Sequence, residues 1–246
     1  MDLTELNNIG LRNLTVYIAY SVGYIIALKF LKEEYLFPIF FFGLFIIILG
    51  LNFATANHIC KTPNHFNTFL NTLLPLVFIL GLGKVFLIIF PGWLRIFSNT
   101  VGMGIAYEAY SDRFNNLRND TKKQFQQAST ATSAPTGGLP STTPSTKSII
   151  DPKNVSILLE VLEKPKKILN EIDIIGKTDI EIGNMYDNTL TLIHGQIFTP
   201  SMKEPIIEIL KNKNKIGYGI WYILLGFITV MISTDSLVNS NCGLNN

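Results

Sequence analysis

From Leu36 to Ala56 the chain carries no charged side chain. The run reads Leu-Phe-Pro-Ile-Phe-Phe-Phe-Gly-Leu-Phe-Ile-Ile-Ile-Leu-Gly-Leu-Asn-Phe-Ala-Thr-Ala. At 1.5 Å of rise per helical residue it is long enough to cross a hydrocarbon core about 30 Å thick. A helix at the edge of a soluble core would show a polar face, and this run shows none. Only a helix satisfies its own backbone hydrogen bonds in lipid, so the stretch predicts a transmembrane helix. Composition agrees. Of 246 residues, 48% are hydrophobic and only 15% are charged, where soluble domains carry about 25% charged residues. A net charge of +2 gives no global basic field for nucleic acid.

Three further apolar runs predict three more spans, at about 14–31, 69–93 and 216–233. In the first, Tyr17, Tyr20 and Tyr24 recur at three- and four-residue spacing and so share a helix face. The start of the chain lacks the basic residues of a signal peptide, so this run is read as a retained anchor. The connection Lys32-Glu33-Glu34-Tyr35 is short enough to make spans one and two a tight antiparallel hairpin. Pro38 is placed in the first turn of span two, where its missing N–H costs little. Span three contains Pro75 and Lys84 and closes on Pro91-Gly92-Trp93. A lysine at mid-span costs roughly 2.5–3.5 kcal/mol, which the flanking Leu, Ile, Phe and Val residues offset at about 0.3–0.6 each.

The domain organisation follows. Residues 1–94 form a membrane region with three spans, and 95–125 form an interfacial or polar segment lying in the interface or tucked back against the bundle. Residues 126–148 are a Ser/Thr/Pro linker whose composition predicts disorder. Residues 149–215 form a small extramembrane module, and 216–246 hold the fourth span and a polar tail. Within the module, helical spacing recurs over 154–170, and Ile180-Glu181-Ile182 and Thr189–Ile193 are β-compatible. A short helix is expected at 203–211. The fold class is therefore an α-helical integral membrane protein with four transmembrane helices. Its extramembrane module, α+β or mostly helical, lies between spans three and four.

Four spans put both termini on one side. Lys29, Lys32, Arg95, Lys211, Lys213 and Lys215 flank the other side, against Arg12 and Lys61 on the terminal side. The positive-inside rule then places 95–215 in the cytosol and both ends in the lumen. Cys60 and Cys242 fall together on the lumenal side, where a disulfide between them is chemically allowed.

Candidate chemistry is sparse. His58, Cys60 and His65, with Cys242 as a fourth ligand, could hold zinc, but their loose spacing makes a polar interhelical loop the default. Neither a metal site nor any cofactor is assigned. Lys84 is the intramembrane charge, either a coupling residue or a lysine that snorkels to the Trp93 interface. Gly81-Leu82-Gly83-Lys84 has no strand before it and no Ser or Thr after it, so it is not a phosphate loop. Asn119-Asp120-Thr121 and Asn154-Val155-Ser156 match the glycosylation pattern, though cytosolic placement argues against their use. No catalytic constellation is visible, and the chain is read as a non-enzyme.

Two stretches carry a resemblance. One is Phe97-Ser98-Asn99-Thr100-Val101-Gly102. The other runs from Trp221-Tyr222-Ile223-Leu224-Leu225-Gly226 through Ile232-Ser233-Thr234 to Val238-Asn239-Ser240-Asn241-Cys242. Together they resemble a family of multi-span membrane proteins of giant and other large nucleocytoplasmic DNA viruses. The resemblance implies a virion component of the inner membrane, beneath or among the minor capsid proteins. It also implies residence in host endoplasmic-reticulum-derived membrane during assembly. The implied partners are the lipid bilayer and capsid or minor capsid proteins, with a homo-oligomer left open and no nucleic acid. The implied role is structural, tethering membrane to shell. The alternative is an oligomeric channel or small transporter, which four spans and Lys84 permit.

Overall fold

The computed structural model describes residues 3–59, 62–109 and 200–241, with shorter described pieces within 111–123 and 169–184. No described residue lies in a strand. The elements are α1 (Leu3–Leu28), α2 (Glu33–Ile59), α3 (His65–Leu76), a π-helical turn (Val77–Gly81), α4 (Leu82–Ile89), α5 (Gly92–Phe97), a second π-helical turn (Ser98–Gly102) and α6 (Pro200–Asn241). Four stretches are long and apolar enough to cross a membrane: Asn8–Leu28, Glu33–Ile59, His65–Ile89 and Ile207–Asn239. The chain is thus a four-span helical protein by length and composition. It divides into two compact units, one made of Met1–Gly102 with Asn212–Asn246 and the other of Met103–Lys211.

In the first unit, α1 and α2 form the expected hairpin over residues 29–32. The face that α2 buries is led by one row, Leu36, Phe40, Leu44, Ile48, Asn52 and Ala56, each at most 1% exposed, with Thr55 buried beside it. That is the i+4 ridge along which helices interdigitate. Helix α6 lies against each of the other spans. Gly219 meets Leu28 of α1, Gly226 meets Tyr17 of α1 with Phe40 and Leu44 of α2, and Leu225 packs on Gly83 of α4. Small residues let these backbones approach closely, as lipid-embedded packing requires.

Several boundaries differ from those expected. Helix α2 starts at Glu33, because two acids in its first turn suit the positive end of the helix dipole. Pro38 therefore falls in the second turn, not the first. The third span begins at His65, where the Asn64 side chain accepts from the N–H groups of Phe66 and Asn67. It ends at Ile89, short of Trp93, since Phe90 leaves helical geometry (φ −123°, ψ 68°) before Pro91. The expected helix at 203–211 and the span at 216–233 are one continuous α6. Nothing in Lys211-Asn212-Lys213-Asn214-Lys215 breaks a helix.

The 95–102 segment takes the tucked-back course. A Cβ on Gly102 would lie 2.5 Å from the Lys213 carbonyl oxygen, and one on Gly217 would lie 2.9–3.0 Å from Ser98. Lys213 is buried and donates from Nζ to Asn99 Oδ1 at 2.9 Å.

In the second unit, Leu169, Ile174 and Ile182 are buried. The β-compatible piece Ile180–Ile182 is a helical turn covering 180–184. A capping box decides it. The Thr178 N–H and hydroxyl both donate to Glu181 Oε2 at 2.8 Å, and the Glu181 N–H donates back to Thr178 Oγ1 at 3.4 Å. This local closure outweighs β-propensity, which is a packing preference more than a backbone one. The Glu181 carboxyl is held below its ordinary range, first by the Thr178 backbone N–H and then by the Thr178 hydroxyl. The 126–148 linker, the Thr189–Ile193 piece, and Cys60 and Cys242 lie outside the described residues.

Candidate functional site: a polar cluster between the spans

Asn52 continues the buried row of α2 where four apolar residues precede it, so it is drawn inward with them. It is fully buried, and its Nδ2 donates to Thr72 Oγ1 on α3 at 2.8 Å and to Ser233 Oγ on α6 at 2.7 Å. Those two hydroxyls pass their own protons to backbone carbonyls. Thr72 donates to the Thr68 carbonyl at 2.9 Å, and Ser233 donates to the Asn71 carbonyl at 3.0 Å. The second bond has a cause in the sequence. Pro75 has no N–H with which to serve the carbonyl four residues earlier, which is that of Asn71. A hydroxyl from α6 takes the vacant role, as lipid-embedded helices demand of any freed backbone group.

The cluster widens at the same end of the bundle. Ser236 Oγ donates to Asn71 Oδ1 at 3.2 Å, and Asn13 Nδ2 of α1 donates to Thr234 Oγ1 at 3.0 Å. Arg12 Nη2 donates to Thr55 Oγ1 of α2 at 2.7 Å. Six hydrogen bonds thus tie α1, α2, α3 and α6 to one another. At about 0.6 kcal/mol for each interhelical bond in a membrane protein, the set contributes about 3–4 kcal/mol. Its larger effect is on register, because a one-turn slip of α6 would part Ser233 from Asn52 and from the Asn71 carbonyl, and Thr234 from Asn13.

The opposite end of the bundle is aromatic. The Tyr24 hydroxyl donates to the Leu36 carbonyl at 2.9 Å, that of Tyr20 to the Phe40 carbonyl at 2.9 Å, and that of Tyr17 to the Ile223 carbonyl. The three tyrosines therefore do share a working face, directed at α2 and α6. Lys84 is half-buried on α4, with Nζ 4.4 Å from the ring centroid of Phe37. Trp221 Nε1 donates to the Gly83 carbonyl at 3.3 Å. A cation over an aromatic face contributes about 0.5–2 kcal/mol, which compensates Lys84 without requiring contact at Trp93.

The polar cluster was not anticipated from the residues. Asn52 was absorbed into an apolar run, although an Asn there, Thr68 and Thr72 at i, i+4, and Ser233-Thr234 were all visible signals. Of the loop residues weighed as metal ligands, His65 sits with its ring 5.5 Å from that of Phe53. Among the described residues no group of three His, Cys, Asp or Glu side chains is placed to hold a metal ion. The cluster's buried amides and hydroxyls offer hydrogen bonding, and Arg12, exposed on α1, adds a positive charge beside it. No protein-family model, curated protein or solved structure matches the chain.

Proposed function

We propose that this chain is a structural protein of a viral inner membrane, anchoring or tethering that membrane to the capsid shell. The observation that carries the reading is where the two family-like stretches lie. The Phe97 ring is 5.7 Å from Trp221, and Gly217, one turn before Trp221, presses on Ser98. The two stretches, far apart in sequence, are joined in one packing interface, as parts of a single structural device would be. The role of the polar side chains also suits a scaffold. They are spent on joining helices to helices, and beneath the cluster Ile48, Leu76 and Val230 are buried together, with the Thr229 hydroxyl donating back to its own helix at Leu225. That layer favours a sealed bundle over a pore through a single copy.

In this role the spans hold the bilayer, and the segment between the third and fourth spans reaches toward capsid or minor capsid proteins. The Ser/Thr/Pro composition of 126–148 suits such a reach, since a coil of about twenty residues spans some tens of ångströms, enough to follow a curved membrane under a faceted shell. Mass spectrometry of purified particles after detergent release tests it. The chain is expected to co-purify with capsid proteins and to cross-link to them through residues 149–215. Retention in host membranes with absence from particles would end the proposal.

A further inference from the structure

The polar cluster leaves two amide oxygens with no donor, and for Asn52 the directions of its hydrogen bonds show why. The Thr72 and Ser233 hydroxyl protons are committed to the Thr68 and Asn71 carbonyls. Both hydroxyls can therefore only accept from Asn52, so its amide nitrogen must face them. Its Oδ1 is turned the other way, buried and without a hydrogen-bond partner. Asn13 Oδ1, on α1, is in the same position, 2% exposed by residue and without a partner, while its Nδ2 holds Thr234, the neighbour of Ser233. Two carboxamide oxygens from different helices are thus left to accept, on either side of the same turn of α6.

We infer that this cluster is a binding site for ordered water, with Asn52 Oδ1 as its principal acceptor and Asn13 Oδ1 as its second. The ligand must donate hydrogen or carry positive charge. Arg12 opposes a cation, since its guanidinium bonds Thr55, one turn from Asn52 on the same face of α2. A small neutral donor remains, and water is the donor that buried polar groups ordinarily recruit, through two to four bonds each. Asn52 lies seven residues from the end of α2, which puts the site about 10 Å below the chain-end side of the bundle. Below it the next turns are lined mainly by Ile48, Leu76, Val230, Leu44 and Leu80, and the buried Thr229 hydroxyl donates to the Leu225 carbonyl of its own helix at 2.8 Å.

A crystal structure of the full chain in a lipidic mesophase, at a resolution that shows ordered solvent, tests this. The expected result is a peak within about 2.7–3.1 Å of Asn52 Oδ1, without anomalous signal when rubidium replaces sodium. That peak disappears in Asn52→Leu, and if this variant does not fold the wild-type chain decides alone. An Oδ1 surrounded only by carbon, or turned onto a protein N–H such as that of Arg12, overturns the inference. So does an anomalous rubidium peak at the site, which would make the occupant a cation.

Discussion

Gly226 sits where α6 crosses both α1 and α2, and replacing it with alanine tests the packing directly. The added Cβ would lie 2.8 Å from Tyr17 Oη, 2.9 Å from Phe40 Cζ and 3.0 Å from Leu44 Cδ2. Carbon atoms rest at about 3.5–4.0 Å, so three side chains must each retreat by roughly 0.5–1 Å. Overpacking of that kind costs about 1–3 kcal/mol. The hydrogen bond from Tyr17 to the Ile223 carbonyl crosses the same spot, and its loss adds about 0.6 kcal/mol. Replacing a helical glycine by alanine returns about 1 kcal/mol of propensity. The net expectation is a loss of about 0.5–2.5 kcal/mol. Gly50→Ala is the control, because no heavy atom lies within 4 Å of its Cβ position, so it should be neutral or stabilise by up to about 1 kcal/mol. Reversible unfolding in mixed detergent–denaturant micelles reads both. In a Tyr17→Phe background the closest clashing atom is gone, and Gly226→Ala should cost less there. Equal midpoint shifts for Gly226→Ala and Gly50→Ala would refute the packing argument.

Ser233→Ala removes an acceptor from Asn52 and a donor from the Asn71 carbonyl, so it should destabilise by about 1–2 kcal/mol in the same assay, while Ser233→Thr should recover part of the loss. Lys84→Met gives up the contact with Phe37 but relieves an intramembrane charge, so translocon-type insertion of the third span should become more efficient, with stability changed by less than about 1 kcal/mol. The Glu181 carboxyl titrates below its ordinary value in the folded turn. Its stabilisation is therefore fully present above the unfolded pKa and is lost as pH falls through the lower folded one. The Thr178 amide resonance should shift in that acid range, and Glu181→Gln should flatten the transition.

The four spans could be read from hydropathy because lipid imposes one rule on every crossing segment, to be helical and apolar over about twenty residues. The Tyr17, Tyr20 and Tyr24 face was legible for a similar reason, as helical spacing alone places residues on a common side. Boundaries were less so. The starts at Glu33 and His65 depend on end electrostatics and on the Asn64 cap, which an apolar window ignores. Ile180–Ile182 was misread because the alternation of its side chains gave no weight to the Thr178–Glu181 capping pair.

The candidate site was present in the letters but not in the pattern. Most of α2 is apolar on every face, so Asn52 is the one polar mark in the row from Leu36 to Ala56, and the residues of α2 do not say what it meets. Only the arrival of α6 between the other spans selects that row, brings Ser233 to the carbonyl that Pro75 left open, and turns Asn52 toward it. The sequence by itself determined the helical class and the four runs long and apolar enough to cross a membrane, since these follow from the length and polarity of each run. The tertiary structure alone decided which polar atoms meet and which acceptors stay unserved, because contacts between distant segments depend on how helices rotate and slide against one another.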